Sequence, residues 1–127
     1  MARILIAGDH RELRELLAFW LSRDGHEVEV VPDRPEDVHP TSTEPYDVVV
    51  LDCHRPARPL ADIVRTIRAH PHHAGAPIIL MTAGASRFEV ESALAAGVTL
   101  HRDQPFPLRQ LSALVGRVVQ HAEARVV

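Results

Sequence analysis

The 127-residue sequence contains no lysine, so its positive charge rests on 14 arginines against 17 acidic residues, a formal net charge of −3. Those arginines are scattered along the chain and form no basic face, which argues against direct nucleic-acid binding. Cysteine is almost absent: Cys53 stands alone, which excludes an internal disulfide and a cysteine zinc site and points to a reducing, cytoplasmic setting. Long apolar runs are missing too. The run Ile4–Ala7 is too short for a signal peptide or a membrane span. What remains is an ordinary globular composition, 46 % hydrophobic and 24 % charged. A chain of this length is one domain that buries roughly two thirds of its unfolded surface without cross-links.

Short apolar runs alternate with helical stripes, the pattern of a parallel sheet with helices on both faces. Ile4–Ala7 reads as a first strand, followed by a helix whose stripe is Leu13, Leu16, Leu17 and Trp20 and which Gly25 ends. His26–Val31 reads as an edge strand stopped by Pro32. Pro35, Pro40 and Pro45 crowd the next segment, where Asp33 and Glu36 suggest one short helical turn. Tyr46–Leu51 is apolar nearly throughout, as a central strand covered on both faces should be. Leu60, Ile63, Val64 and Ile67 stripe the next helix, and Pro77–Met81 is a further buried strand. Ser86 and Glu89 cap a helix striped by Val90, Ala93 and Leu94 and closed by Gly97. A weak strand at Val98–His101 and a helix opened by Pro107, carrying Leu108, Leu111, Val115 and Val118, complete five strands and five helices. The domain is expected over residues 1–121, with 122–127 as a tail.

Ligands of open parallel sheets bind at the carboxyl ends of the strands. That edge should gather Gly8 and Asp9 after strand one, Asp52 after strand three, Thr82 after strand four, and Gln104 before Pro105-Phe106. Two carboxylates suit a hard cation such as Mg²⁺, and a carboxylate can act as nucleophile toward phosphorus once the phosphoryl charge is neutralised. In order and spacing, four segments resemble the receiver domain of two-component response regulators. They are Ile4-Leu5-Ile6-Ala7-Gly8-Asp9-His10; Tyr46 to Asp52 with Pro56 four residues on; Pro77 to Ala83; and Gln104-Pro105-Phe106.

The resemblance implies a flavodoxin-like (βα)5 three-layer sandwich of strand order 2-1-3-4-5. It makes Asp52 the phosphoacceptor, and Asp9, Asp52 and the backbone carbonyl of His54 the ligands of Mg²⁺. Thr82 becomes the hydroxyl that turns toward the phosphoryl group, with Gln104 and His101 at the neighbouring switch positions. A sensor histidine kinase or phosphotransfer protein is the implied donor. Arg87, Phe88 and Arg109 lie on the implied partner surface, the fourth-helix to fifth-helix face, which is also the implied face for a homodimer. An output domain or downstream protein would receive the signal; the receiver itself is not an enzyme.

The sequence departs from the family where the chemistry is done. The usual pair of acids after strand one is Gly8-Asp9, and the usual lysine is Gln104, with no lysine elsewhere. His101 stands where a tyrosine or phenylalanine is common, and Ala57-Arg58-Pro59-Leu60 lacks the usual glycine. One acid and one cation are lost together, so the formal charge of the resting site stays at −2. The phosphoryl oxygens nonetheless lose a charged donor, which typically costs about 2.7–4 kcal/mol where charge develops. The expectation is a degenerate receiver with weakened Mg²⁺ binding, and its alternative is a binding module that works without phosphorylation. Aspartate-nucleophile phosphatases need a second Asp two residues after the first, where this chain has His54. Of the nine histidines, His70, His72 and His73 sit close enough in sequence to suggest an opportunistic Zn²⁺ or Ni²⁺ site, and His10, His54 and His101 fall near the active edge.

Overall fold

The computed structural model describes residues 2–31, 45–54, 56–71 and 73–126. Five parallel strands, β1 (Arg3–Gly8), β2 (Glu27–Val30), β3 (Val48–Cys53), β4 (Ile78–Thr82) and β5 (Leu100–Asp103), form one sheet in the order β2-β1-β3-β4-β5. Helices α1 (Arg11–Arg23) and α4 (Leu111–Val126) cover one face; α2 (Leu60–Ala69) and α3 (Arg87–Ala96) cover the other. This is the flavodoxin-like order expected from the sequence. Every residue of β3 is buried, as a central strand requires, whereas both ends of edge strand β2 are exposed.

Alternation along the strands divides the core in two. Ile4, Ile6, Val48, Val50, Ile79 and Met81 pack with Leu17, Leu21, Leu111, Leu114 and Val115 under α1 and α4. Leu5, Val49, Leu51, Ile78 and Leu80 pack with Leu60, Ile63, Val64 and Ile67 under α2. Fully burying each such side chain contributes about 1.5–3 kcal/mol, so these two layers hold the strand ends in fixed register. Cys53 is a small buried residue, 3 % exposed.

The punctuation is largely as expected. Ser86 and Glu89 form a complete capping box, and Gly25 (φ 90°) and Gly97 (φ 128°) adopt the positive φ that follows a helix. Four expectations need correction. The buried line of α1 is Arg14, Leu17 and Leu21, turned by about one residue from the expected stripe, so Leu16 is 45 % exposed and Trp20 only half-buried. In α3 only Ala93 is buried, and Leu94 is exposed. Strand five begins later than expected because Val98 closes α3, its N–H reaching the Ala93 carbonyl, and sheet pairing starts with Thr99 N–H to the Ile78 carbonyl. Pro107 opens a 3₁₀ turn (Leu108–Gln110) before α4 proper, and α4 runs through the residues expected as a tail. The helical turn expected near Asp33 and Glu36 lies outside the described residues, as does His72.

Candidate functional site

Sheet register brings the carboxyl ends together: Gly8 pairs with Asp52, Cys53 with Thr82, and Thr82 with Asp103. Asp52, next to last in β3, has no solvent exposure. Neither of its carboxylate oxygens accepts a hydrogen bond among the described residues. Loss of water, and then the charge of Asp9, push its carboxyl up to about 7, while His10 and Arg14 pull in the opposite direction. A buried carboxylate without donors carries a real folding cost, and such perturbed acids concentrate at functional sites.

Three residues crowd Asp52. Asp9, half-buried, donates its N–H to the Asp52 carbonyl (3.2 Å) and accepts the His54 N–H on Oδ1 (2.8 Å). The His54 ring brings Nε2 to 3.0 Å from Asp52 Oδ1, a close charge contact that is not an aligned hydrogen bond. His10 lies beside it, ring centroids 5.1 Å apart. The first helix is capped by His10 rather than Asp9, the His10 Nδ1 accepting the Leu13 N–H at 3.2 Å. That leaves Asp9 turned across the site.

A second cluster lies along β4 and β5. Thr82 Oγ1 donates to Asp103 Oδ1 (3.2 Å) and sits 2.7 Å from His101 Nε2, and Asp103 Oδ1 also accepts the Gly84 N–H (3.3 Å). With its one proton given to Asp103, the hydroxyl accepts from His101. Asp103 was not singled out from the sequence, although its place opposite Thr82 follows once the β5 register is known. Gln104 donates its N–H to the Thr82 carbonyl (2.7 Å) and precedes a cis peptide bond to Pro105. Its side-chain Nε2 is buried and makes no hydrogen bond among the described residues.

The donors present fit Mg²⁺. The unbonded oxygens of Asp52, the carboxylate of Asp9 and nearby backbone carbonyls are hard acceptors, and Mg²⁺ asks for only one or two carboxylates besides its waters. The site suggested at His70, His72 and His73 includes His72, which lies outside the described residues; among the described residues no group of three or more His, Cys, Asp or Glu gathers as a metal site. His73 is instead fully buried, stacked 5.5 Å from Tyr46 and 4.7 Å from His70. Arg87 and Phe88 open α3 and are exposed, Phe88 by 77 %, with Arg87 paired to Glu91; Arg109 is exposed in the 3₁₀ turn. Among the described residues no helix is long and apolar enough to cross a membrane.

Comparison with known proteins agrees with this geometry. Residues 4–116 match the response regulator receiver domain family. The chain is 29 % identical to the sensory transduction protein RegX3 of Mycolicibacterium smegmatis over 94 % of its own length and 51 % of that protein's. It therefore spans about half the length of the curated relatives it matches. The receiver domain of sensor histidine kinase PA1611 from Pseudomonas aeruginosa, solved with a magnesium ion in its active-site cleft, is 26 % identical, with a TM-score of 0.72 over 94 % of this chain and 98 % of that one. Chemotaxis response regulator CheY4 of Vibrio cholerae shares the fold, with a TM-score of 0.78 at 24 % identity over 93 % of this chain and 98 % of that one.

Proposed function

This chain belongs to the response regulator receiver domain family, and on that footing we propose that Asp52 is its phosphoacceptor and that its chemistry is impaired rather than lost. One observation carries the proposal: a carboxylate at the end of the central strand, buried beside Asp9, with no hydrogen-bond donor committed to either oxygen. In the reaction an ionised Asp52 oxygen attacks phosphorus, and the bond from phosphorus to the donor breaks. The donor, a histidine of a kinase or phosphotransfer protein, leaves with the bonding electrons. Asp9, Asp52 and the His54 carbonyl would hold Mg²⁺, whose contribution would be to neutralise charge on the phosphoryl oxygens. The uncommitted Nε2 of Gln104 supplies a neutral donor where the family has a cation. Thr82 and His101 read the outcome and pass it to the surface carrying Arg87, Phe88 and Arg109, used by a downstream protein, an output domain or a second copy in the cytoplasm.

Intact-mass measurement after incubation with Mg²⁺ and acetyl phosphate tests this. One phosphoryl adduct is expected on the wild type and none on Asp52→Asn; no adduct on either, beside a receiver that labels normally, overturns the reading. A second reading is favoured by one observation: the Thr82 hydroxyl is already bonded to His101 and Asp103 without a phosphoryl group. A domain held so would engage its partner regardless of phosphorylation. Equal partner binding by wild type and Asp52→Asn would support that reading.

A further inference from the structure

Helix α1 carries a second apolar line, on the side away from the core. Glu12, Glu15, Leu16, Phe19, Ser22 and Arg23 are exposed at helical spacing, and the ridge down the middle of that face is Glu12, Leu16, Phe19 and Arg23. Leu16 is 45 % and Phe19 57 % exposed. Single exposed apolar side chains need no explanation, but two that adjoin at the centre of one helix face form a patch. Half-buried Trp20 widens it: its ring meets Phe19 edge-on at 5.9 Å and carries the Arg23 guanidinium at 5.6 Å. Those contacts hold the patch in shape, yet neither Glu12 nor Arg23 has an ion-pair partner among the described residues.

We propose that this face docks a second copy of the chain, in a two-fold dimer of antiparallel α1 helices. The ridge is self-complementary in order. With the two-fold axis between Leu17 and Ala18, each Leu16 meets the partner's Phe19 and each Glu12 meets the partner's Arg23. A two-fold contact uses one patch on both copies, so each of these pairings forms twice. Helix α1 has 13 residues, about 20 Å of length. An interface built on one such helix is smaller than a permanent one, and a dissociation constant of roughly 10–100 μM is expected. The inference goes beyond the reading of Asp52 and does not depend on it. It also moves the second copy away from Arg87 and Phe88, because α1 and α3 cover opposite faces of the sheet.

Sedimentation equilibrium of the full chain at low salt, from about 5 to about 500 μM, tests both the contact and its register. The wild type should be a monomer at the bottom of that range and a dimer at the top. Phe19→Glu and Leu16→Glu should each stay monomeric throughout; both positions are exposed, so neither change enters the core. Glu12→Arg sets arginine against arginine and Arg23→Glu sets acid against acid. Each should weaken the dimer roughly ten-fold, since the attraction is lost twice and replaced by repulsion. Mixing these two single variants should bring association back to within about three-fold of wild type, because opposite charges then meet across unlike copies. A wild type that stays monomeric overturns the proposal and gives the face to a different protein. A dimer that survives Phe19→Glu, or one that Phe88→Glu abolishes, overturns it by putting the copy elsewhere. Failure of the mixture to associate overturns the antiparallel register. None of these readouts involves Asp52, so the phosphoacceptor reading stands or falls separately.

Discussion

Replacing Asp52 with asparagine should stabilise the fold, by an amount that grows with pH. The carboxyl has no solvent exposure and is pushed to about 7, chiefly by loss of water and next by Asp9. An aspartate in the unfolded chain titrates near 3.9, so from about pH 4 to about pH 7 the native state holds a proton that the unfolded state has released. With more protons bound in the native state, stability falls as pH rises through that window, and this carboxyl's contribution is fully lost above it. At about 1.4 kcal/mol per pH unit over roughly three units, the ceiling is about 4 kcal/mol. Asparagine keeps the shape and removes the titration. Urea denaturation at intervals between pH 4.5 and 8.5 should therefore show Asp52→Asn more stable by about 2–4 kcal/mol at pH 8, with the gap closing toward pH 4.5. Two parallel stability curves across the window would refute the reasoning, because the wild-type carboxylate would then cost nothing to ionise in place.

Restoring the first acid should be costly. Gly8→Asp puts a Cβ within 3.0–3.2 Å of a backbone carbonyl and two side-chain stems, and strands β1 and β3 have little room to part; overpacking of this kind typically costs about 1–3 kcal/mol, measurable as a lower urea midpoint. Arg68 is a structural clamp: Nη1 donates to the carbonyls of His73 (2.9 Å) and Ala74 (3.2 Å) and also to that of Ala76, and Nη2 donates to that of Gly97 (2.7 Å). Arg68→Leu frees part-buried carbonyls at once and should destabilise by about 2–3 kcal/mol, read from the same denaturation curves.

Much of this molecule is legible in its sequence, for identifiable reasons. β1, β3 and β4 announce themselves because both faces are covered, so their runs are apolar without interruption. The ends of α3 are legible because Ser86, Glu89 and Gly97 each solve a specific backbone problem. The site residues Asp52, Asp9, Thr82 and Gln104 are found because strand carboxyl ends share one edge. What escaped was polar and buried. Arg14 holds an inward position at the spacing of Leu17 and Leu21, yet hydrophobic periodicity assigns an arginine to solvent and so turns the whole α1 stripe by a residue. His73 was missed likewise, since its burial depends on stacking with Tyr46, distant in sequence. Asp103 needed the β5 register, which the capping role of Val98 displaces from its apolar run.

Putting a lysine back at residue 104 tests whether that position faces Asp52, which the resemblance implies and the uncommitted Gln104 Nε2 favours. An ammonium beside the buried carboxylate favours its charged form, so the pKa of Asp52 falls and the window in which the folded protein over-binds a proton narrows. At an effective dielectric near 20 a close pair is worth up to about 4 kcal/mol before the lysine's own desolvation is subtracted, so about 1–2 kcal/mol of net effect is reasonable. Gln104→Lys should therefore roughly halve the loss of stability between pH 4 and 7 and leave pH 4 stability nearly unchanged. Adduct formation should quicken by ten-fold or more, about 1.4 kcal/mol of added stabilisation where charge develops. The two readouts fail separately. A flattened pH profile with no gain in rate would put the lysine beside Asp52 but leave His54, 3.0 Å from Asp52 Oδ1, as the barrier to the donor. An unchanged pH profile would mean that residue 104 does not see Asp52.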